Sequence, residues 1–264
     1  PFAVMSLITA ADPNWPSLRV WLWVLIAMVA ARTAAMSFNR LVDHRIDADN
    51  PRTADRSLPA GRLSRRFAWG MTLISALVFV IAAAMLNHLC LLLAAPTLGV
   101  LLGYSFAKRF TSAAHLWLGL ALGIAPIGAW IAATGNLAAP PVILGAAVMF
   151  WVAGFDTIYS LQDEIFDRSR RLWSLPSRLG AGRALWVARI LHLLAAAGFF
   201  WIAVAAGGGW LRLAAAVVAA GLMAWQHRLV RADDLSRVDA AFFSANGLLS
   251  VLMCSLFVVA RILG

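Results

Sequence analysis

PSLRVWLWVLIAMVAARTAAMSFNRLVDHRID, residues 16–47, joins two chemistries in one stretch. Its first part is an apolar run long enough to cross a bilayer, for which about 20 residues suffice. Its end, Asn39–Asp47, places Asn39, Asp43 and Asp47 four residues apart. On a helix that spacing aligns all three on one face, about one turn between each. A carboxylate ladder at the mouth of a membrane helix is costly unless something positive binds there.

The rest of the 264-residue chain has the same character. It is 62% apolar and 13% charged, with a mean hydropathy of +0.81, against roughly 25% charged in soluble domains. Long runs rich in Ala and Leu exclude a transmembrane barrel, whose segments are short and alternating. The expected fold is all-α: a polytopic membrane protein forming one transmembrane domain over residues 1–264. Eight full spans are expected at 16–42, 67–86, 88–107, 113–133, 139–163, 184–206, 209–230 and 241–262, after a partial one at 1–11, nine in all. The opening segment reads as the tail of a first helix, not as a signal peptide, because it lacks a basic start and a cleavage site. Cys90 and Cys254 fall inside apolar spans and read as small buried hydrophobes without a disulfide.

Basic residues orient the spans. The loops and helix ends after the second, fourth, sixth and eighth spans carry 17 of the 22 Lys and Arg, and every acidic residue except Asp12. That side is cytoplasmic, and the net charge of +10 reports topology, not nucleic-acid binding. A tandem echo accompanies it. A second ladder, Asp156, Tyr159, Asp163 and Asp167 in DTIYSLQDEIFD, precedes a loop with Ser174-Leu175-Pro176, just as the first precedes Ser57-Leu58-Pro59. Four crossings separate the ladders, so both face the cytoplasm. The expected arrangement is two similar four-helix units around one central cavity, with an acidic helix end from each at its mouth. Inverted-repeat transporters place such groups near the midplane with opposite polarity.

Hard cations take oxygen ligands, and Mg²⁺ uses one or two carboxylates plus substrate phosphates. Two facing acidic clusters suit Mg²⁺ bridging a diphosphate; read separately, each ladder is equally a set of helix-end charges. Lys108 and Arg109 can reach diphosphate oxygens, or serve as a positive-inside anchor pair. Arg45, Arg52 and Arg56 flank the first ladder; Arg45 and Arg52 are taken as diphosphate-binding candidates. Arg32, inside the membrane on the ladder side, is a cavity candidate or an ion-pair partner. Asp156 reads as a cavity residue because an unpaired buried carboxylate is costly; Tyr159 either faces substrate or packs between helices. The five histidines share no ligand spacing and read as interfacial or packing residues. No nucleophilic triad or Gly-rich nucleotide loop stands out.

NRLVDHRID followed by RTADRSLPAG, DTIYSLQDEIFD followed by its Leu-Pro loop, and YSFAKRFT at 104–111 together resemble the signatures of UbiA-type intramembrane aromatic prenyltransferases, most of all the 4-hydroxybenzoate polyprenyltransferase branch. Many members carry Asp directly after the first Asn, where this chain has Arg40. The resemblance implies a Mg²⁺-dependent enzyme of a bacterial cytoplasmic membrane, its active site facing the cytoplasm. Asp43, Asp47, Asp163 and Asp167 would be catalytic and bind metal, with Asn39 assisting, and Arg40 would join the substrate cavity or meet phosphate. The partners implied are a polyprenyl diphosphate, an aromatic acid and the lipid bilayer, with no nucleic acid. The acceptor is 4-hydroxybenzoate or, as Arg40 suggests, a hydroxynaphthoate of menaquinone synthesis. A cation or metabolite transporter is the alternative of a different class; it leaves the one-sided acids and the basic loops unexplained.

Overall fold

Helix ends fall where the sequence withdraws backbone partners or supplies caps. In the computed structural model, which describes residues 1–263, Ser17 and Ser64 cap the helices that follow, their hydroxyls accepting from the N–H groups of Val20 and Phe67. Asn50 precedes Pro51 and is extended (φ −95°, ψ 118°), which stops the helix before it because the proline ring disfavours a helical predecessor. Gly207, Gly208 and Gly209 all take positive φ, a conformation that costs a residue without Cβ little.

The helices are α1 (Phe2–Ala10), α2 (Leu18–Asp49), α3 (Arg65–Leu86), α4 (His88–Ala107), α5 (Ala114–Thr134), α6 (Ala139–Tyr159), α7 (Glu164–Ser169), α8 (Leu175–Leu179), α9 (Ala181–Ala205), α10 (Trp210–Leu229) and α11 (Ala245–Ile262). A 3₁₀ turn, Ser160–Asp163, joins α6 to α7, and a π-helical turn, Ala240–Ser244, opens α11. No strand forms among the described residues; one isolated bridge pairs Arg231 with Asp234. Seven helical segments are long and apolar enough to cross a membrane. The expected count of nine is not reached on that measure. α1 has only nine residues, and α10, which carries Arg212, Gln226, His227 and Arg228, has the length but is not among the seven.

The chain divides into two compact units. One comprises Ser17–Ala107, with α2, α3 and α4; the other comprises Pro1–Pro16 and the chain from Lys108 onward. The expected division into two four-helix units therefore does not match how the contacts group, since one unit has three long helices. Within the first unit, Leu41 of α2, Leu58 of the following loop and Ala68 of α3 form a buried cluster. It holds the loop after the first ladder against the helix ends.

In the second unit α6 is the most buried span, packed between α5 and α9. Small residues permit the approach. A Cβ on Gly119 would lie 2.2 Å from the Met149 carbonyl oxygen, and one on Gly123 would lie 2.4 Å from that of Gly145. Such close backbone contact is how membrane helices gain packing without a hydrophobic driving force between them. Outward-facing Leu73, Ile74, Leu92 and Leu193 are each more than 60% exposed, a pattern that suits lipid.

Candidate active site

The first ladder stands on α2, an unbroken helix of 32 residues. At 1.5 Å per residue it is about 48 Å long, so a hydrocarbon core of about 30 Å leaves roughly three turns outside. Asn39, Asp43 and Asp47 occupy the last turns. The Asn39 amide donates to Asp43 Oδ2 at 2.9 Å, which orients that carboxylate and leaves the Asn39 carbonyl as an acceptor. Asp47 is buried. Its Oδ1 accepts from Arg56 at 2.6 Å, and Arg40 lies 3.7 Å from Oδ2. The Thr53 hydroxyl donates to the Asp47 backbone carbonyl, folding the loop back over the helix end. Farther out in that loop Arg62 donates to Asp55, whose carboxyl it holds below the usual carboxylate range.

The second ladder departs from the expected single helical face. Asp156 and Tyr159 belong to α6, but Asp163 ends the 3₁₀ turn and Asp167 belongs to α7. A 3₁₀ turn advances three residues per turn instead of 3.6, so the acidic side chains are re-aimed around the axis. Asp163 and Asp167 are both buried. Lys108 Nζ lies 3.7 Å from Asp167 Oδ2, and the Lys108 carbonyl accepts from Trp173 N–H at 2.7 Å, so the basic pair after α4 is tied to this ladder's loop. The face of Trp173 carries the Arg178 guanidinium, 3.4 Å from the ring centre.

The ladders thus end alike. Asp47 Oδ2 and Asp167 Oδ2 are each buried without a hydrogen-bond partner, each 3.7 Å from a cationic nitrogen. Leaving a buried carboxylate oxygen without a donor costs free energy, and a hard cation would satisfy it. Among the described residues no three His, Cys, Asp or Glu side chains converge on one point. This donor set fits Mg²⁺, which draws much of its coordination from water and substrate phosphate.

Other expected residues distribute unevenly. Arg45, Arg52 and Arg109 are exposed, and Arg56 reaches Asp47 of the first ladder. Arg32 is exposed. Tyr159 stacks on Phe242, ring centres 4.1 Å apart at 29°, so one of its faces is already covered. Arg40, unusual for its position, is engaged with Asp47. The histidines require correction in part: His115 is fully buried and bonds Asp156 at 2.7 Å. His192 and His227 pair with each other at 3.0 Å while His192 meets the Trp151 carbonyl. His115 lies 41 residues from its partner, a separation that no local spacing rule detects.

Comparison with known proteins adds to this geometry. The model of the UbiA prenyltransferase family matches residues 1–248. A 4-hydroxybenzoate octaprenyltransferase of Methylobacillus flagellatus is 30% identical over 243 residues, 90% of this chain and 80% of the relative. One of Klebsiella pneumoniae subsp. pneumoniae is 28% identical over 249 residues, 88% and 85% of the two chains. Among solved structures, the apo structure of a UbiA homolog from Aeropyrum pernix K1 gives a TM-score of 0.90 at 33% identity, covering 98% of this chain and 95% of that one. A UbiA homolog from Archaeoglobus fulgidus bound to DMAPP and Mg²⁺ gives 0.70 at 18% identity, covering 98% and 94%, a likeness of fold.

Proposed function

Because the chain belongs to the UbiA prenyltransferase family and is a membrane prenyltransferase, we propose that it transfers a polyprenyl chain from polyprenyl diphosphate to 4-hydroxybenzoate in quinone biosynthesis. The names of the curated relatives support this acceptor. The family model spans both compact units, which supports reading them as one catalytic domain. The basic loops beside both ladders support a site on the cytoplasmic side of a bacterial membrane.

The observation that carries the reading is the shared ending of the two ladders: a buried carboxylate oxygen without a donor, beside a cation. Asp43, Asp47, Asp163 and Asp167, with the Asn39 carbonyl, are the residues that would hold Mg²⁺. Bound Mg²⁺ supplies positive charge that neutralises the diphosphate and stabilises it as a leaving group. Asn39 orients Asp43, and Arg56 and Arg40 fix Asp47. Lys108 beside the second ladder, and Arg40 and Arg56 beside the first, would supply positive charge for diphosphate oxygens, which an arginine can bind bidentately. The prenyl C–O bond breaks with its electron pair leaving on diphosphate. The ring carbon beside the acceptor hydroxyl bonds to the prenyl carbon, and the ring then loses its proton. Apolar helices around such a centre exclude water that would otherwise capture the allylic cation.

An acceptor panel tests the reading. Membranes containing the protein, Mg²⁺ and a polyprenyl diphosphate are offered 4-hydroxybenzoate or dihydroxynaphthoates, and the products are weighed by mass spectrometry. Prenylated 4-hydroxybenzoate is the expected product. Prenylated naphthoate alone would reassign the acceptor, and no product with any aromatic acid would overturn the reading.

A further inference from the structure

His115 sits in the first turn of α5 and is fully buried, with both ring nitrogens engaged. Its Nδ1 lies 2.7 Å from Asp156 Oδ2, and its Nε2 lies 3.3 Å from the backbone nitrogen of Leu175. A backbone N–H can only donate, so Nε2 is the acceptor and Nδ1 carries the hydrogen that Asp156 accepts. Leu175 opens α8, where Ser174 and Ser177 already satisfy each other's backbone N–H groups. The Leu175 N–H is one of the helix-start donors that have no partner inside the helix, and His115 supplies one. A single imidazole therefore ties three elements together: the start of α5, the cytoplasmic end of α6 and the Leu-Pro loop. The Asp156 side chain is 17% exposed, against 1% for His115. Its carboxylate makes no other hydrogen bond among the described residues.

We propose that His115 is a positioning residue that fixes Asp156 as the hydrogen-bond acceptor for the hydroxyl group of the phenolic substrate. The inference rests on the proposed transfer to an aromatic acid. One carboxylate oxygen is held by His115, and the other makes no hydrogen bond among the described residues, so its lone pairs remain for a substrate donor. A phenol hydroxyl suits that acceptor, because a hydrogen bond to an ionised oxygen is about twice as strong as a neutral one. Donating it moves electron density into the ring and strengthens the nucleophilic carbon beside the hydroxyl. A histidine that served packing alone would need neither nitrogen in register with a partner.

Variants of His115 separate the two bonds. Asn places an amide N–H near the Nδ1 position and keeps the donor to Asp156; Gln reaches the Nε2 position and keeps only the Leu175 bond. Steady-state parameters for both substrates are measured in the intact membrane-embedded enzyme for wild type, His115→Asn, His115→Gln and His115→Phe, each with a melting curve. His115→Gln and His115→Phe are expected to lose about tenfold or more in kcat/KM for the phenolic acid, the scale of a lost hydrogen bond to a charged group. KM for the polyprenyl diphosphate is expected to stay within about twofold, and His115→Asn within about threefold of wild type in all parameters. In an Asp156→Asn background His115→Gln is expected to add little, since both changes remove the same bond. Equal losses in Asn and Gln, wild-type values for Gln, or a matching loss for the polyprenyl diphosphate would each overturn the inference even if the Phe variant fails to fold. If wild type prenylates no phenolic acid, the proposed function falls and this inference with it. If wild type is active and Asn and Gln cannot be told apart, the inference alone falls.

Discussion

Asp47 is where the chemistry of single residues is sharpest. It is buried, bonded through one oxygen to Arg56, and 3.7 Å from Arg40 through the other. Removing Arg56 strips a charged partner from a buried carboxylate, an effect of about 1–3 kcal/mol with Arg40 still nearby. Arg56→Ala is therefore expected to lower both thermal stability and kcat/KM, as read by a melting curve and a product assay. Arg56→Lys is expected to recover only part, because an ammonium does not reproduce the guanidinium fork. Arg62 and Asp55 form a contrasting pair in the same loop. The Asp55 carboxyl is held low by its bond to Arg62, so it adds stability above its unfolded value of about 3.9. That increment is lost as pH falls through the lower folded value. Since Asp55 is fully exposed, Asp55→Asn is expected to leave the melting temperature at pH 7 nearly unchanged. Fourfold spacing made Asn39, Asp43 and Asp47 legible from sequence. It could not show that Arg56 reaches Asp47, because that contact depends on how the loop folds back through Thr53. Nor could it link His115 to Asp156, which tertiary packing alone brings together.

At the level of elements, the long helices follow directly from apolar runs and their breakers: Asn50-Pro51, the glycines at 207–209 and the serine caps. Two departures have local causes. The second ladder contains a 3₁₀ turn at Ser160–Asp163, and a segment of four residues is too short for its periodicity to tell a 3₁₀ turn from an α-helical one. α10 has the length of a span, yet its polar residues keep it outside the seven strongly apolar segments. The α5–α6 contact offers a direct check. Gly119→Val would force side-chain carbon against the Met149 carbonyl, and overpacking of this kind costs about 1–3 kcal/mol. A lower melting temperature is expected, with Gly70→Ala, where nothing lies within 4 Å, as the neutral control. At the loop end, Ser174→Ala removes a reciprocal cap and is expected to cost about 1 kcal/mol, visible as faster proteolysis of the loop around α8.

For the whole molecule, membrane orientation follows from arginine placement, and labelling can test it. With Cys90 and Cys254 replaced by Ser, an impermeant maleimide is expected to modify Ser57→Cys and Ser236→Cys in inside-out vesicles and Asn136→Cys in intact cells. All three positions are exposed. The family and its prenyl chemistry were legible because two ladders and two Leu-Pro loops recur at readable spacings, with the Lys108-Arg109 pair between them. How the contacts group was not legible, since repeated motifs record sequence echo and not which helices pack together. Both ladders are proposed to serve one Mg²⁺-dependent departure of diphosphate. The most direct test of that shared role is acceptor-dependent diphosphate release measured with and without EDTA in wild type, Asp47→Asn and Asp167→Asn. Wild type is expected to release diphosphate only with Mg²⁺, and each variant alone is expected to fall by about 100-fold or more. Full release in EDTA, or full activity in either variant, would contradict it.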